Sequence, residues 1–384
     1  MTVSGAVRLL GAGDIRGIAG RLGMHPTKRL GQNFVLEQGT VRRIAALAAV
    51  HPGDVILEVG PGLGSLTLAL LEAMAEAAGS PRSRGGVDTS EAAGTPWSGD
   101  VDETAVRVTG SAAVDAVAGQ GSEADVARGS VGGAAGGRGG GVGVPSGARV
   151  LPEGPRLAPM RLVAVEIDPV LADELPRTII ERAPDLADRV TVLTADALAI
   201  GEKEIGAPAP TVLAANLPYN VAVPVVLRLL AALPSLERGV VMVQAEVADR
   251  MCAGPGSRVY GVPSAKLAWY AEAKAAGTVP RGVFWPVPNV DSKLVAFTRR
   301  DPPPTTASRA EVFTLIDAAF GQRRKTLRAA LAGWAGSPAK AEDALRAAGV
   351  DPGARGEALT VTEFARIAQS GREAHATAEK TLDR

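Results

Sequence analysis

Along the chain, short unbroken apolar runs alternate with longer segments that are apolar at every third or fourth position. The runs DVILEVG (54–60), RLVAVEID (161–168), VTVLTAD (190–196), TVLAANL (211–217) and VVMVQAEV (240–247) predict strands buried on both faces. Helical spacing follows from Ser65, from Pro169 and from Pro224. Strands alternating with helices specify an α/β fold, a mostly parallel sheet with helices on both faces. After a last strand, LVAFTRR, the segment DPPPTT punctuates the chain. The segments EVFTLIDAAF, QRRKTLRAALAGW, AEDALRAAG and TVTEFARIAQ then predict a small C-terminal all-helical domain. The expected organisation is an α/β domain over residues 1–300, a helical domain over 301–370, and a flexible tail over 371–384, where GREAHATAEKTLDR lacks a consistent apolar stripe.

Composition changes this picture at one place. Over residues 79–159 the sequence turns to Gly, Ala, Ser and scattered charges, ending in VGGAAGGRGGGVGVPSG, too poor in large apolar residues to form a core. A disordered Gly/Ala-rich insertion is expected there, replacing a tight loop between the helix from Ser65 and the strand RLVAVEID. Over the whole chain hydrophobic residues make up 46% and aromatic residues 3%. The core is therefore built from Ala, Val and Leu, and each aromatic ring marks a special position.

Lys and Arg together number 41, as do Asp and Glu, so a nucleic-acid partner would have to meet locally gathered positive charge. A single cysteine, Cys252, excludes an internal disulfide, and His25, His51 and His375 have no zinc-site spacing. No metal is expected. The absence of an apolar leader or a membrane-length apolar run predicts a soluble, unprocessed, cytoplasmic protein.

The strand ends carry the candidate chemistry. In LEVGPGLGSLT an acid closes a buried strand, and Gly60, Gly62 and Gly64 form a sharp turn before a helix. Such a turn suits NAD, FAD, S-adenosylmethionine or plain tight packing. Glu166, at the tip of the next strand, can accept both hydroxyls of a ribose, or is a solvated loop acid. Asp196, on the third, can take a hydrogen bond from an adenine amine. Asn216, Leu217, Pro218 and Tyr219 end the fourth strand and form the most specific string in the chain. An adenine N6 lone pair is delocalised into its ring, so methylation needs the amine held by acceptors while an aromatic face grips the base. The Asn216 side-chain oxygen and the Pro218 carbonyl can accept, and Tyr219 can stack. The plainer reading, a turn capped by Asn and stiffened by Pro, is disfavoured by its place at the strand end facing the site. Phe284 opens a Pro-rich stretch, FWPVP, unsuited to helix or central strand; it either presents a ring to the other face of an extruded base or staples two domains together. Lys28 with Arg29, and Arg323, Arg324, Lys325 and Arg328 on a C-terminal helix, suit a phosphate backbone or form a solvated helix face.

Taken together, KRLGQNFV, EVGPGLGSLT, VEID, ADA, NLPYN, QAEVADRMCAGPGSRVYG, FWPVPNVDS and FGQRRKTLR resemble the small-subunit ribosomal RNA adenine dimethyltransferases, the KsgA or RsmA family, over nearly the whole chain outside the insertion. The resemblance implies a Rossmann-like class I methyltransferase domain followed by a helical RNA-binding domain. It also implies S-adenosylmethionine as methyl donor and, as substrate, two adjacent adenosines in the 3′-terminal hairpin of 16S rRNA within the assembling 30S subunit. Carried over by residue, Asn33, Val35, Gly60 and Gly62 contact the donor, Glu166 its ribose and Asp196 its adenine. Asn216 serves donor and target amine, Pro218 accepts from that amine, and Tyr219 and Phe284 sandwich the base. Lys28, Arg29, Arg323, Arg324, Lys325 and Arg328 hold RNA. A monomer is expected. Val35 for the usual Leu, Ala195 for Gly, and WPVP for a commoner proline run are departures that remove no functional atom. A 23S rRNA methyltransferase of the resistance type and a subunit-binding assembly factor are the rival readings. A nicotinamide oxidoreductase is disfavoured, since no hydride-transfer acid or base follows the glycine turn.

Overall fold

Because the apolar runs are unbroken, the central strands bury side chains on both faces, and the chain supplies a helical layer for each. The computed structural model describes residues 7–24, 33–79 and 160–382. In chain order the elements are α1 (Ala12–Arg21), β1 (Phe34–Val35), α2 (Gln38–Leu47), β2 (Val55–Val59), α3 (Ser65–Gly79), β3 (Arg161–Glu166), α4 (Pro169–Arg182), β4 (Val190–Thr194), α5 (Glu202–Ile205), β5 (Val212–Asn216), α6 (Ala222–Ala232), β6 (Arg238–Gln244), α7 (Ala245–Cys252), α8 (Val262–Tyr270), β7 (Ala271–Val279), β8 (Phe284–Trp285) and β9 (Ser292–Arg299). The C-terminal helices are α9 (Arg309–Gly321), α10 (Leu327–Ala330), α11 (Ala332–Ala335), α12 (Pro338–Ala347) and α13 (Val361–Leu382).

The main sheet has the order β4-β3-β2-β5-β6-β9-β7. The first five of these strands are parallel, and β9 runs antiparallel to both β6 and β7. Strand order reverses between β2 and β5, the place where open α/β sheets bind ligands at the carboxyl ends of their strands. On one face Ile56, Leu162, Ala164, Val212, Ala214 and Met242 pack with α1 to α4. On the other Leu57, Val163, Leu213, Val241 and Phe297 pack with α6 to α9, and the same core continues into α12 and α13 through Leu345 and Phe364. Phe313 of α9 meets Trp269 and Tyr270 edge-on at 6.2 and 6.0 Å, a favourable geometry for aromatic pairs. The C-terminal helices thus share the core of the sheet's second face.

Four local readings differ from the structure. In VVMVQAEV the strand stops at Gln244 and the last three residues open α7. β7, AEAKAAGTV, has no apolar alternation to announce it; it is an edge strand hydrogen-bonded only to β9, so small and polar residues suffice. Residues 322–326 form a turn between α9 and α10 rather than a helix, closed by Lys325 N–H donating to Gln322 O at 2.8 Å. α13 continues past Ser370 to Leu382, where a flexible tail is expected; that stretch is rich in Ala, Glu, Lys and Arg, all strong helix formers.

Of the expected insertion, residues 80–159 lie outside the described residues, as do Lys28 and Arg29. The described ends are informative. α3 ends at Gly79, and β3 starts at Arg161, in register with Val55, the first residue of β2. The insertion therefore leaves and re-enters at the amino edge of the parallel strands, opposite the edge bearing the glycine turn.

Candidate active site

At the carboxyl edge of the strands a cavity of about 250 Å³ opens, large enough for a nucleoside rather than a single ion. Its lining includes Asn33, Gly60, Glu166, Asp196, Asn216 and Tyr219, drawn from the carboxyl ends of β2, β3, β4 and β5, the residues just after them, and the segment before β1. The turn after β2 needs glycine at Gly62 and Gly64, where φ is +57° and +97°. A Cβ at Gly62 would also lie 3.1 Å from the Phe34 ring, and one at Gly64 2.9 Å from Leu175.

Glu166 is 5% exposed and its two oxygens are held apart by backbone donors, Gly62 N–H at 3.0 Å on Oε2 and Asp168 N–H at 3.0 Å on Oε1. Burial pushes its carboxyl above the ordinary range, opposed by those backbone bonds. A carboxylate so fixed keeps lone pairs for two vicinal hydroxyls. Asp196 is exposed at the cavity; Oδ1 accepts Leu198 N–H at 2.9 Å, which leaves Oδ2 to accept from an amine. Ile167 and Leu198 line the same cavity and are 62% and 38% exposed. Two bare apolar side chains, one after each acid, form walls for a flat ring, a feature that strand patterning does not reveal because they sit just past the strands.

The strip Asn33 to Val35 closes one side. The Ser65 hydroxyl donates to Val35 O at 3.0 Å, Phe34–Val35 pairs with Phe284–Trp285, and Leu36 N–H donates to Val283 O at 2.8 Å. Asn216, half-buried, donates Nδ2–H to Asn33 O at 3.1 Å. Only the nitrogen end of an amide can bond a carbonyl oxygen, so Oδ1 is turned the other way, an acceptor whose orientation is set by the bond of Nδ2 to the strip. Pro218 O receives Val221 N–H at 3.2 Å and retains its second lone pair. Tyr219 is half-buried, and burial raises its phenol above the ordinary value, so the ring stays neutral.

Not every expected residue converges here. Phe284 is 1% exposed, packed among the core of the α1 to α4 face, and does not line the cavity. Its ring serves as a staple in this structure rather than offering a face to a base. The expected basic helix divides. Arg323 donates to Glu357 at 2.8 Å and to Arg258 O at 2.6 Å, and Arg328 pairs with Glu342 at 2.7 Å. Arg324 and Lys325 are exposed in the turn. Among the described residues no group of His, Cys, Asp and Glu could hold a metal ion, and no helix is long and apolar enough to cross a membrane. Cys252 is half-buried, its thiol pushed up to about 11 by burial and by Asp249, which leaves little thiolate to react.

The ribosomal RNA adenine dimethylase family model matches residues 24–78 and 156–372, skipping the insertion. The chain belongs to this family. Among curated relatives of this dimethylase, the ribosomal RNA small subunit methyltransferase A of Thermobifida fusca is 49% identical over 95% of this chain and 97% of that one. The protein of the same name from Kineococcus radiotolerans is 51% identical over 94% and 91%. A dimethyladenosine transferase from Plasmodium falciparum shares the fold at TM-score 0.54 and 17% identity, covering 87% of this chain and 95% of that one. The 23S rRNA methyltransferase ErmE does so at 0.50 and 20%, covering 88% and 99%. The dimethylase has the Rossmann-like class I methyltransferase fold that the sequence implies.

Proposed function

We propose that this chain transfers methyl groups from S-adenosylmethionine to the N6 amines of two adjacent adenosines in the 3′-terminal hairpin loop of 16S rRNA, acting as a cytoplasmic monomer on the assembling 30S subunit. The observation that carries the reading is the fixed amide of Asn216, whose oxygen is freed as an acceptor in the cavity that Glu166, Asp196 and Tyr219 also line.

The cavity fits the donor in kind: an acid held by two backbone donors for a ribose, a second acid for an adenine amine, and two apolar walls for the ring between them. When bound, S-adenosylmethionine supplies an electrophilic methyl on a sulfonium that is its own leaving group. The protein's task is the amine. For the first methyl, Asn216 Oδ1 and Pro218 O each accept one N–H, drawing the nitrogen lone pair out of conjugation and towards the donor; the monomethylated amine keeps one N–H for one of these acceptors in the second transfer. Tyr219 gives the base a neutral aromatic face. The amine proton departs to water once the nitrogen is methylated, so no nucleophilic Ser, Cys or Lys is required. The 49–51% identical relatives named for the small subunit support 16S rRNA as substrate.

The test is Asn216→Ala. Losing one preorganised partner of this kind costs about 100-fold or more in kcat. Methyl transfer to unmethylated small subunits should fall by that factor while the variant still sediments with them. Transfer at the parental rate would refute the role.

A further inference from the structure

Ser292 is the first residue of β9, in register with Gln244 at the end of β6 and Val279 at the end of β7, at the same sheet edge as Asn216. Its side chain is fully buried, at 0% exposure, and its hydroxyl lies 3.0 Å from the Tyr219 hydroxyl, 73 residues away in sequence. An unpartnered buried hydroxyl is costly, so the bond that satisfies this one contributes to holding both groups in place. Here the partner is the far end of the ring that lines the cavity.

We propose that Ser292 is a positioning residue for methyl transfer, holding Tyr219 in the orientation that stacks the target base. The inference rests on the base-stacking role proposed above for Tyr219. A bond to the hydroxyl fixes the direction of the ring's long axis, so the ring as a whole cannot tilt away from the cavity wall it forms. The loop carrying Tyr219 is pinned at its base, by Leu217 N–H to Met242 O at 3.1 Å and Val221 N–H to Pro218 O at 3.2 Å, and Ser292 pins its tip. Ser292 itself does not line the cavity, so its hydroxyl reaches the site only through Tyr219.

Removing the hydroxyl leaves the half-buried phenol seeking solvent through the open side of the cavity. Fewer molecules then hold the stacked geometry, while binding of subunits, dominated by phosphate contacts elsewhere, is little changed. Ser292→Ala should lower kcat about fivefold, equivalent to ~1 kcal/mol at 1.36 kcal/mol per tenfold, with KM for small subunits and S-adenosylmethionine affinity by calorimetry within about twofold of the parent. The decisive arm is the double-mutant cycle with Tyr219→Phe, which already lacks the hydroxyl: there Ser292→Ala should lower kcat no further. An equal drop in both backgrounds, a loss of donor affinity matching the loss of kcat, or no change in kcat would each overturn the proposal. Tyr219→Ala separates the two levels: if it leaves kcat intact, the stacking reading fails; if it abolishes transfer while Ser292→Ala is silent, only the role of Ser292 fails.

Discussion

Glu58 is the acid of LEVGPGLG, fully buried on the central strand β2, with neither carboxyl oxygen hydrogen-bonded. The Thr67 hydroxyl lies beside it without the alignment of a bond, and Thr67 and Thr178 hydroxyls are likewise buried and unpaired. Burial pushes the Glu58 carboxyl from 4.5 up to about 8, with the charge of Glu166 adding to the rise and Thr67 opposing it. Between those two values the unfolded chain has lost a proton that the native protein keeps. Stability from this group is therefore complete below about pH 4.5 and declines as pH rises to about 8, by up to about 1.4 kcal/mol per pH unit. Glu58→Gln keeps the shape and abolishes the titration. Urea unfolding of both proteins from about pH 5.5 to about pH 7.5 should show the variant gaining on the parent by roughly 2 to 3 kcal/mol as pH rises, since all other titrations cancel in the difference. A difference that stays flat with pH would mean that Glu58 is ionised in the native protein, and the reasoning from its burial would be wrong.

Gly62→Ala forces an Ala to φ +57° with its Cβ 3.1 Å from Phe34; it should weaken S-adenosylmethionine binding by about tenfold or more, measured by calorimetry, and unchanged affinity would contradict the geometry. Replacing Arg324 and Lys325 together by Ala should lower the slope of log affinity for small subunits against log salt by roughly 1.4 to 1.8 without touching melting temperature. Arg323→Ala should lower the melting temperature instead, because Arg323 ties Glu357 to the Arg258 carbonyl. Excising residues 81–156 in favour of a short Gly-Ser linker should preserve methyl transfer and stabilise the fold by at most about 2 kcal/mol, because both attachments lie at the edge away from the site; a tenfold loss of kcat/KM would assign the insertion a part in the reaction.

The parallel strands are legible in the sequence because apolar runs of this kind have few alternatives, and parallel pairing brings their carboxyl ends, with Glu166, Asp196 and Asn216, to one edge. What escaped had a physical reason in each case. β7 is paired on one side only and needs no apolar face. The QRRK turn is polar throughout, so helical spacing around it read straight across. Phe284 stands out in a chain poor in aromatic residues, yet spacing alone does not tell a ring aimed at a ligand from one aimed at a core, and here it is 1% exposed. The exposed walls Ile167 and Leu198, and the hydroxyl of Ser292 on Tyr219, arise from contacts across the fold that no local window contains.

The central claim is tested most directly by incubating the purified protein with isotopically labelled S-adenosylmethionine and unmethylated small subunits, then digesting the rRNA and analysing its nucleosides by mass spectrometry. The account predicts labelled N6,N6-dimethyladenosine from two adjacent positions in the 3′-terminal hairpin of 16S rRNA. Label appearing only in 23S rRNA when that is offered, or no label despite tight subunit binding, would contradict it.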